Sequence, residues 1–405
     1  MQAIVGCSQL VTLAGSPDPR LGTEMSELAI IENGALLLHN GLIKEVGPRD
    51  EIERQASDVF DVGGRIILPG FIDAHTHPVF GGNRANEFEM RSKGLGYQEI
   101  AASGGGIRSS VRATRAATEE ELLEQAKRHA IWFLKNGTTT IEAKSGYGLT
   151  TEDELKMLRV IQRLGEETPL TCVPTFLGAH SFPDELSREE YVELLLNEML
   201  AAARPFARYC DIFCEQGYYS LEQTRRILGK ANELGFALKA HVDQLSNTGA
   251  ATLVAALGAK TADHLEQTDA EGIEALRRAN VTPVLLPASV HCLGLKKYPD
   301  ARAMIDAGMP VVLATDFNPG SSPTTSMPMV LNLASTQMRM TPAEAITAAT
   351  INAAFSLNLD HDRGSLESGK RADFVVWDCQ DYREIAYWLG ASLVHSVYVE
   401  GKRVV

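Results

Sequence analysis

Four histidines and one aspartate are the residues on which chemistry could be built. Asp73-Ala74-His75-Thr76-His77 places two imidazoles two positions apart at the end of an apolar run. Side chains at that spacing on a strand point the same way, so both rings could hold one metal ion. Three further candidates close later apolar runs: His241 ends FALKAHV, His264 ends TADHL and Asp316 ends PVVLATD. An aspartate buried after an apolar strand is costly unless it is paired or bound to a metal. Three imidazoles and one carboxylate suit zinc or ferrous iron and leave room for a water. A water activated in this way is a nucleophile at neutral pH, so hydrolysis is the chemistry this set would serve.

The surrounding pattern supplies elements to position these groups. From about residue 65 to 360 the texture is strand, polar loop and amphipathic helix, repeated, with eight strand candidates: RIILPGFIDAH, TTTIEAK, LTCVPTFL, CDIFCE, FALKAHV, AKTADHL, VTPVLL and PVVLATD. Thr118 with Glu121, Ser220 with Gln223, and Thr341-Pro342 with Glu344 carry helix-start signals, and Asn136-Gly137 and Gly235 carry stops. Alternation of this number predicts an α/β fold, a (β/α)8 barrel of the TIM type, in which catalytic groups gather at the carboxyl ends of the strands. Residues 1–64 read as short strands, with hairpin signals at Asn33-Gly34 and Asn40-Gly41, and the style returns in 361–405 in ADFVVWD and SVYVEGKRVV. Both ends are therefore expected to build one small discontinuous β-sandwich domain around a barrel spanning 65–360. An insertion from Pro78 to about Ala117 exceeds the usual loop length and reads as a substrate lid or a mobile loop.

Composition narrows the class. The chain has 405 residues, and 52 acidic against 38 basic side chains leave a net charge of −14, which works against nucleic-acid or anionic-membrane binding. No basic leader precedes an apolar run in MQAIVGCSQLVTL, and no stretch approaches the ~18 apolar residues of a membrane span, so a cytoplasmic protein is expected. The six cysteines are scattered without a two-residue gap and read as reduced core thiols; Cys210 and Cys214 alternate with Ile212 as packing residues.

The order His-x-His on strand one, His on strands five and six, and Asp on strand eight resembles the amidohydrolase superfamily over nearly the whole chain, including the PGFIDAHTH run. Binuclear relatives carry a bridging carboxylated lysine on strand four. Here that strand ends in Cys214-Glu215, and Lys144 follows strand two, so the resemblance implies a single metal. A closer likeness, in order along the chain, is to the imidazolonepropionase family: GGNRANEF, SGGGI at 103–107, EAKSGYGL, TFLGAH, HVDQ and TDFNPGSSP. That likeness implies hydrolysis of the ring amide of 4-imidazolone-5-propanoate to N-formimino-L-glutamate in histidine degradation. It further implies one zinc or iron ion per subunit, held by His75, His77, His241 and Asp316, in a homodimer acting on a small molecule.

The same resemblance assigns roles. Arg84, seven residues beyond His77, is expected to grip the substrate carboxylate with both arms of its guanidinium. Tyr147 and His180 are expected to contact substrate or product. Gln244 follows His241 by three residues, where deaminases of the superfamily carry Glu; its amide can hydrogen-bond ring nitrogens but cannot shuttle a proton. Asn318, Gly320 and Ser321 form a turn able to cradle the substrate. His264 and Asp316 are the expected catalytic pair that positions the water and manages its proton. A heterocycle deaminase of the same superfamily is the alternative. His39, His129, His361 and His395 are read as structural, and His291-Cys292 lies outside the expected site.

Overall fold

The computed structural model describes residues 1–95 and 104–405. Part of the 78–117 insertion, and Ser103 at the head of one quoted motif, lie outside the described residues.

Eight parallel strands build the barrel in chain order: β1 Phe71–Asp73, β2 Thr138–Lys144, β3 Thr171–Ala179, β4 Tyr209–Cys214, β5 Ala237–Val242, β6 Thr261–His264, β7 Thr282–Leu285 and β8 Val312–Leu313. Every residue of β2 is buried, as a barrel strand filled inside and covered by helices outside requires. Beyond the ends of β1 and β8 the ring is closed by the Asp316 N–H donating to the His75 carbonyl at 3.1 Å and the His77 N–H donating to the Phe317 carbonyl at 2.8 Å. The expected capping boxes form at the starts of the helices Glu119–Lys135, Leu221–Glu233 and Pro342–Ala348.

Two further sheets come from the termini. A four-stranded sheet runs Leu42–Pro48, Gly34–His39, Gln2–Val5, Asp58–Asp61. A six-stranded sheet runs Lys402–Arg403, Val394–Val399, Phe374–Trp377, Ile66–Pro69, Gln9–Val11, Ile30–Glu32, interleaving strands from both ends of the chain. Ile4 and Leu36 from the first sheet pack with Ile67, Phe374 and Val376 from the second in one apolar cluster, the core of a sandwich.

Three local expectations change. RIILPGFIDAH is not one strand: Ile66–Pro69 pairs with Phe374–Trp377 in the terminal sheet, and only Phe71–Asp73 enters the barrel. The break falls at Gly70, where a Cβ would lie 2.2 Å from Thr139 Oγ1, so the chain crosses β2 too closely for any side chain. Asn40-Gly41, with φ of 50° and 81°, makes the expected hairpin turn, but Asn33-Gly34 does not. There the chain leaves one sheet for the other, and Gly34 is required because a Cβ would meet Leu10 Cβ at 2.8 Å. Finally, among its described residues the insertion carries the helices Ala85–Ser92 and Ile107–Ala116, tied together by Glu87 Oε1 accepting from the Gly106 N–H at 3.0 Å. Among the described residues no helix is long and apolar enough to cross a membrane.

Candidate active site

At the barrel mouth the expected ligands converge. One ring nitrogen each of His75, His77 and His241 lie within 4.8 Å of one another, as do one nitrogen each of His75 and His264 and an oxygen of Asp316. His75 Nε2 and His77 Nε2 both stand 3.6 Å from Asp316 Oδ1. Asp73 locks β1 to β8, accepting from the Thr315 N–H at 2.9 Å and Oγ1 at 2.5 Å. Burial pushes its pKa up to about 7 against those bonds. Asp316 and His264 sit at φ of 53° and 84°, a conformation that side-chain-bearing residues adopt rarely and that clusters at functional sites.

Whether this set fits a cation is decided on the far side of the rings. His75 Nδ1 lies 2.6 Å from Asp263 Oδ2, and His241 Nδ1 lies 3.2 Å from Asp211 Oδ1. A carboxylate accepts, so each Nδ1 carries the proton and each Nε2 presents a lone pair. Both Nε2 atoms are buried without a hydrogen-bond partner among the described residues. An unpaired buried acceptor costs about 1–3 kcal/mol, and ligating a cation removes that cost. Burial, reinforced by Lys144 at His75, holds the His75 and His77 rings below their ordinary pKa, and neutral rings are what a metal requires. Burial opposes charge on Asp316, but His77, His264 and His241 outweigh it and hold the carboxylate at about 2.

His264 differs from the other rings. Its Nδ1 lies 3.3 Å from Glu266 Oε1, and although burial opposes the proton, Glu266 and Asp316 raise its pKa.

The expected substrate residues surround the same mouth. His180 stacks on His77 with centroids 5.1 Å apart, its Nδ1 donating to the Gly146 carbonyl at 3.1 Å. The Tyr147 ring centre is 5.3 Å from His180 and 6.0 Å from His77. Arg84 donates from Nε to Ser110 Oγ at 3.0 Å and lies so close to Gly320 that a Cβ there would be 2.2 Å from Nη1. Asn318 is spent on its own turn: its Nδ2 donates to the Asp316 carbonyl at 2.6 Å, and its Oδ1 accepts from the Gly320 and Ser321 N–H groups. Ser321 Oγ donates to Asp316 Oδ2 at 3.2 Å, so this turn positions the carboxylate. Gln244 is half-buried in the bend after β5 and its amide makes no hydrogen bond to the described residues.

Several supporting groups escaped the sequence reading. Glu154 accepts from the N–H groups of Gly146, Gly148 and Leu149 and so shapes the loop that presents Tyr147. Glu215 accepts from the Leu245 N–H at 2.8 Å and anchors the bend that carries Gln244. Arg91 donates to the Gly320 carbonyl at 3.3 Å, beside Arg84. Asp211 and Asp263 were detectable in principle, as acids in the middle of apolar strands. Of the remaining histidines, His129 is buried, donating from Nδ1 to the Pro78 carbonyl at 2.8 Å, while His39, His291 and His361 are exposed and His395 is half-buried.

Residues 66–404 match the amidohydrolase family. Over 409 aligned residues, 99% of this chain and 98% of the relative, the chain is 57% identical to the imidazolonepropionase of Solibacter usitatus. The chain belongs to the imidazolonepropionase family of amidohydrolases. The family member from Geobacillus kaustophilus is 46% identical over 98% of this chain and 96% of its own length. Among solved structures, Escherichia coli guanine deaminase superposes with a TM-score of 0.75 at 18% identity, covering 100% of this chain and 99% of its own. An adenosine deaminase from Xanthomonas campestris with bound zinc gives 0.73 at 18% identity, covering 99% and 92%. At that identity these two describe a shared fold.

Proposed function

We propose that the chain hydrolyses the ring amide of 4-imidazolone-5-propanoate, adding one water across the carbon-nitrogen bond to give N-formimino-L-glutamate. The observation that carries this reading is that His77, His241 and Asp316 all gather around His75, with Arg84 against Gly320 in the turn after Asp316. Those four residues would hold one zinc or iron ion, which when bound supplies Lewis-acid activation of water and of the ring carbonyl.

The chain's own groups do the rest. Asp316, ionised and steadied by Ser321, takes the proton of the attacking water. His264, whose proton Glu266 and Asp316 favour, acts as the imidazolium: Nδ1–H faces Glu266 and Nε2–H donates to the oxygen on which negative charge builds. Collapse breaks the ring amide, and the departing nitrogen receives the proton held by Asp316. Arg84 forks the propanoate carboxylate, while Tyr147, His180 and Gln244 border the flat ring. Asn318, Gly320 and Ser321 act through the turn that aims Asp316 and seats Arg84. A cytoplasmic homodimer is the assembly and location expected of this enzyme.

Product analysis tests the reading. Purified protein given 4-imidazolone-5-propanoate should release N-formimino-L-glutamate in step with substrate loss, without ammonia. Ammonia release with an intact ring would instead support a heterocycle deaminase, which Gln244 disfavours because its amide cannot carry a proton.

A further inference from the structure

Below the histidines lies a layer of five charged side chains, all without solvent exposure: Glu142, Lys144, Asp211, Lys239 and Asp263. Lys144 is its centre. Its Nζ is 2.6 Å from Asp211 Oδ2, 2.9 Å from Glu142 Oε2 and 3.6 Å from Asp263 Oδ2. Lys239 Nζ reaches Glu142 Oε2 at 2.8 Å and donates to the Ala74 carbonyl at 3.3 Å.

Two of the three carboxylates on Lys144 are the ones that hold metal-ligand rings: Asp211 holds His241, and Asp263 holds His75. We infer that Lys144 is a positioning residue for the metal centre, fixing the carboxylates of Asp211 and Asp263 so that His241 and His75 each present Nε2 to the cation. This rests on the reading that His75, His77, His241 and Asp316 hold that cation. It goes beyond it by assigning a structural cation, one layer deeper, to the orientation of two of the ligands.

The physical reasoning is geometric. A carboxylate beside a buried imidazole can rotate about its own bond and present either oxygen, and the ring then turns with it. An ammonium shared by both carboxylates removes that freedom on β4 and β6 at once, because its donors are directed from a third strand, β2. Two ammonium groups against three carboxylates also leave one excess negative charge on the Nδ1 side of the rings, which strengthens their Nε2 donors toward a cation.

Lysine fits here for a further reason. Its head is compact and its donors rotate, so one group serves acceptors on three strands, whereas a planar guanidinium would address one direction. A neutral side chain would leave three buried carboxylates sharing Lys239 alone, and an unpaired buried charge is strongly destabilising. The single variant Lys144→Met is thus a test of folding as well as of positioning. The double variant Lys144→Met/Glu142→Gln removes one cation and one anion together, keeps the net charge of the layer and deletes a carboxylate that hydrogen-bonds to no histidine.

The experiment measures zinc affinity by competition with a chelator, alongside the thermal midpoint of each metal-free protein. Native protein should bind one zinc per chain. The double variant should melt close to native when metal-free, yet bind zinc about 10–100-fold more weakly, the range seen when partners behind metal ligands are lost. If Lys144→Met also folds, it should show at least the same weakening. Native zinc affinity in either folded variant would overturn the role assigned to Lys144. Failure of the native protein to bind zinc would instead overturn the metal-centre reading itself.

Discussion

Asp263 Oδ2 stands 2.6 Å from His75 Nδ1, with both side chains fully buried and nearly 190 residues apart in sequence. One contact thereby fixes the tautomer of the innermost ligand of the centre and ties the loop after β1 to β6. Replacing Asp263 with Ala should weaken metal binding by about 10–100-fold, because the ring loses both its orientation and the partner that keeps its proton on Nδ1. Metal titration of the variant checks this, and unchanged affinity would show that His75 orients without Asp263.

His264 is expected to act on the reaction more than on the metal. His264→Ala should lower turnover by about 10²–10⁴-fold, the range for a lost general acid or base, with metal content unchanged. Elemental analysis beside a turnover assay separates the outcomes. Metal loss from this variant would make His264 a ligand.

Arg84 and Gly320 form a pair whose two members can be tested independently. Arg84→Met removes hydrogen bonds to a charged group worth about 1.5–3 kcal/mol, so KM should rise by about 10–100-fold while turnover of bound substrate changes less. Gly320→Ala should raise KM in the same direction, since the new methyl would meet Arg84 Nη1. A Gly320→Ala enzyme with native KM would place the carboxylate elsewhere.

A pH effect on stability follows from His129. Buried against Phe80 and Phe317 and donating to the Pro78 carbonyl, it has its pKa lowered from 6.5 to about 4 by burial. The unfolded chain therefore takes up the proton first. Stability from the neutral ring is intact above pH 6.5 and is lost as pH falls toward 4, by an amount on the order of 3 kcal/mol. His129→Gln retains a donor and cannot titrate, so its urea midpoint should fall less than the native one between pH 7.5 and pH 5. Parallel midpoints would remove His129 from the acid response.

The residues that carry chemistry were legible because they interrupt apolar strands. His241, His264 and Asp316 each stand at the carboxyl end of a strand run, where the side chains of a barrel mouth gather, and eight such runs in alternation point to a barrel. What escaped depends on partners remote in sequence. Nothing in RIILPGFIDAH reveals a change of sheet, since the need for Gly70 arises only when Thr139 lies across it. Asn33-Gly34 satisfies the local rules of a hairpin, and its sheet change is imposed by the approach of Leu10. Asp211 and Asp263 announce themselves as buried acids, but only the folded barrel shows which histidine each one holds.

Following the disappearance of 4-imidazolone-5-propanoate, before and after removal of bound metal and during its stepwise return, tests the centre most directly. Activity should vanish on chelation and recover fully at one equivalent of zinc or ferrous iron per chain. Undiminished hydrolysis by metal-free protein, or an inert protein carrying its full equivalent of metal, would contradict a centre built from His75, His77, His241 and Asp316.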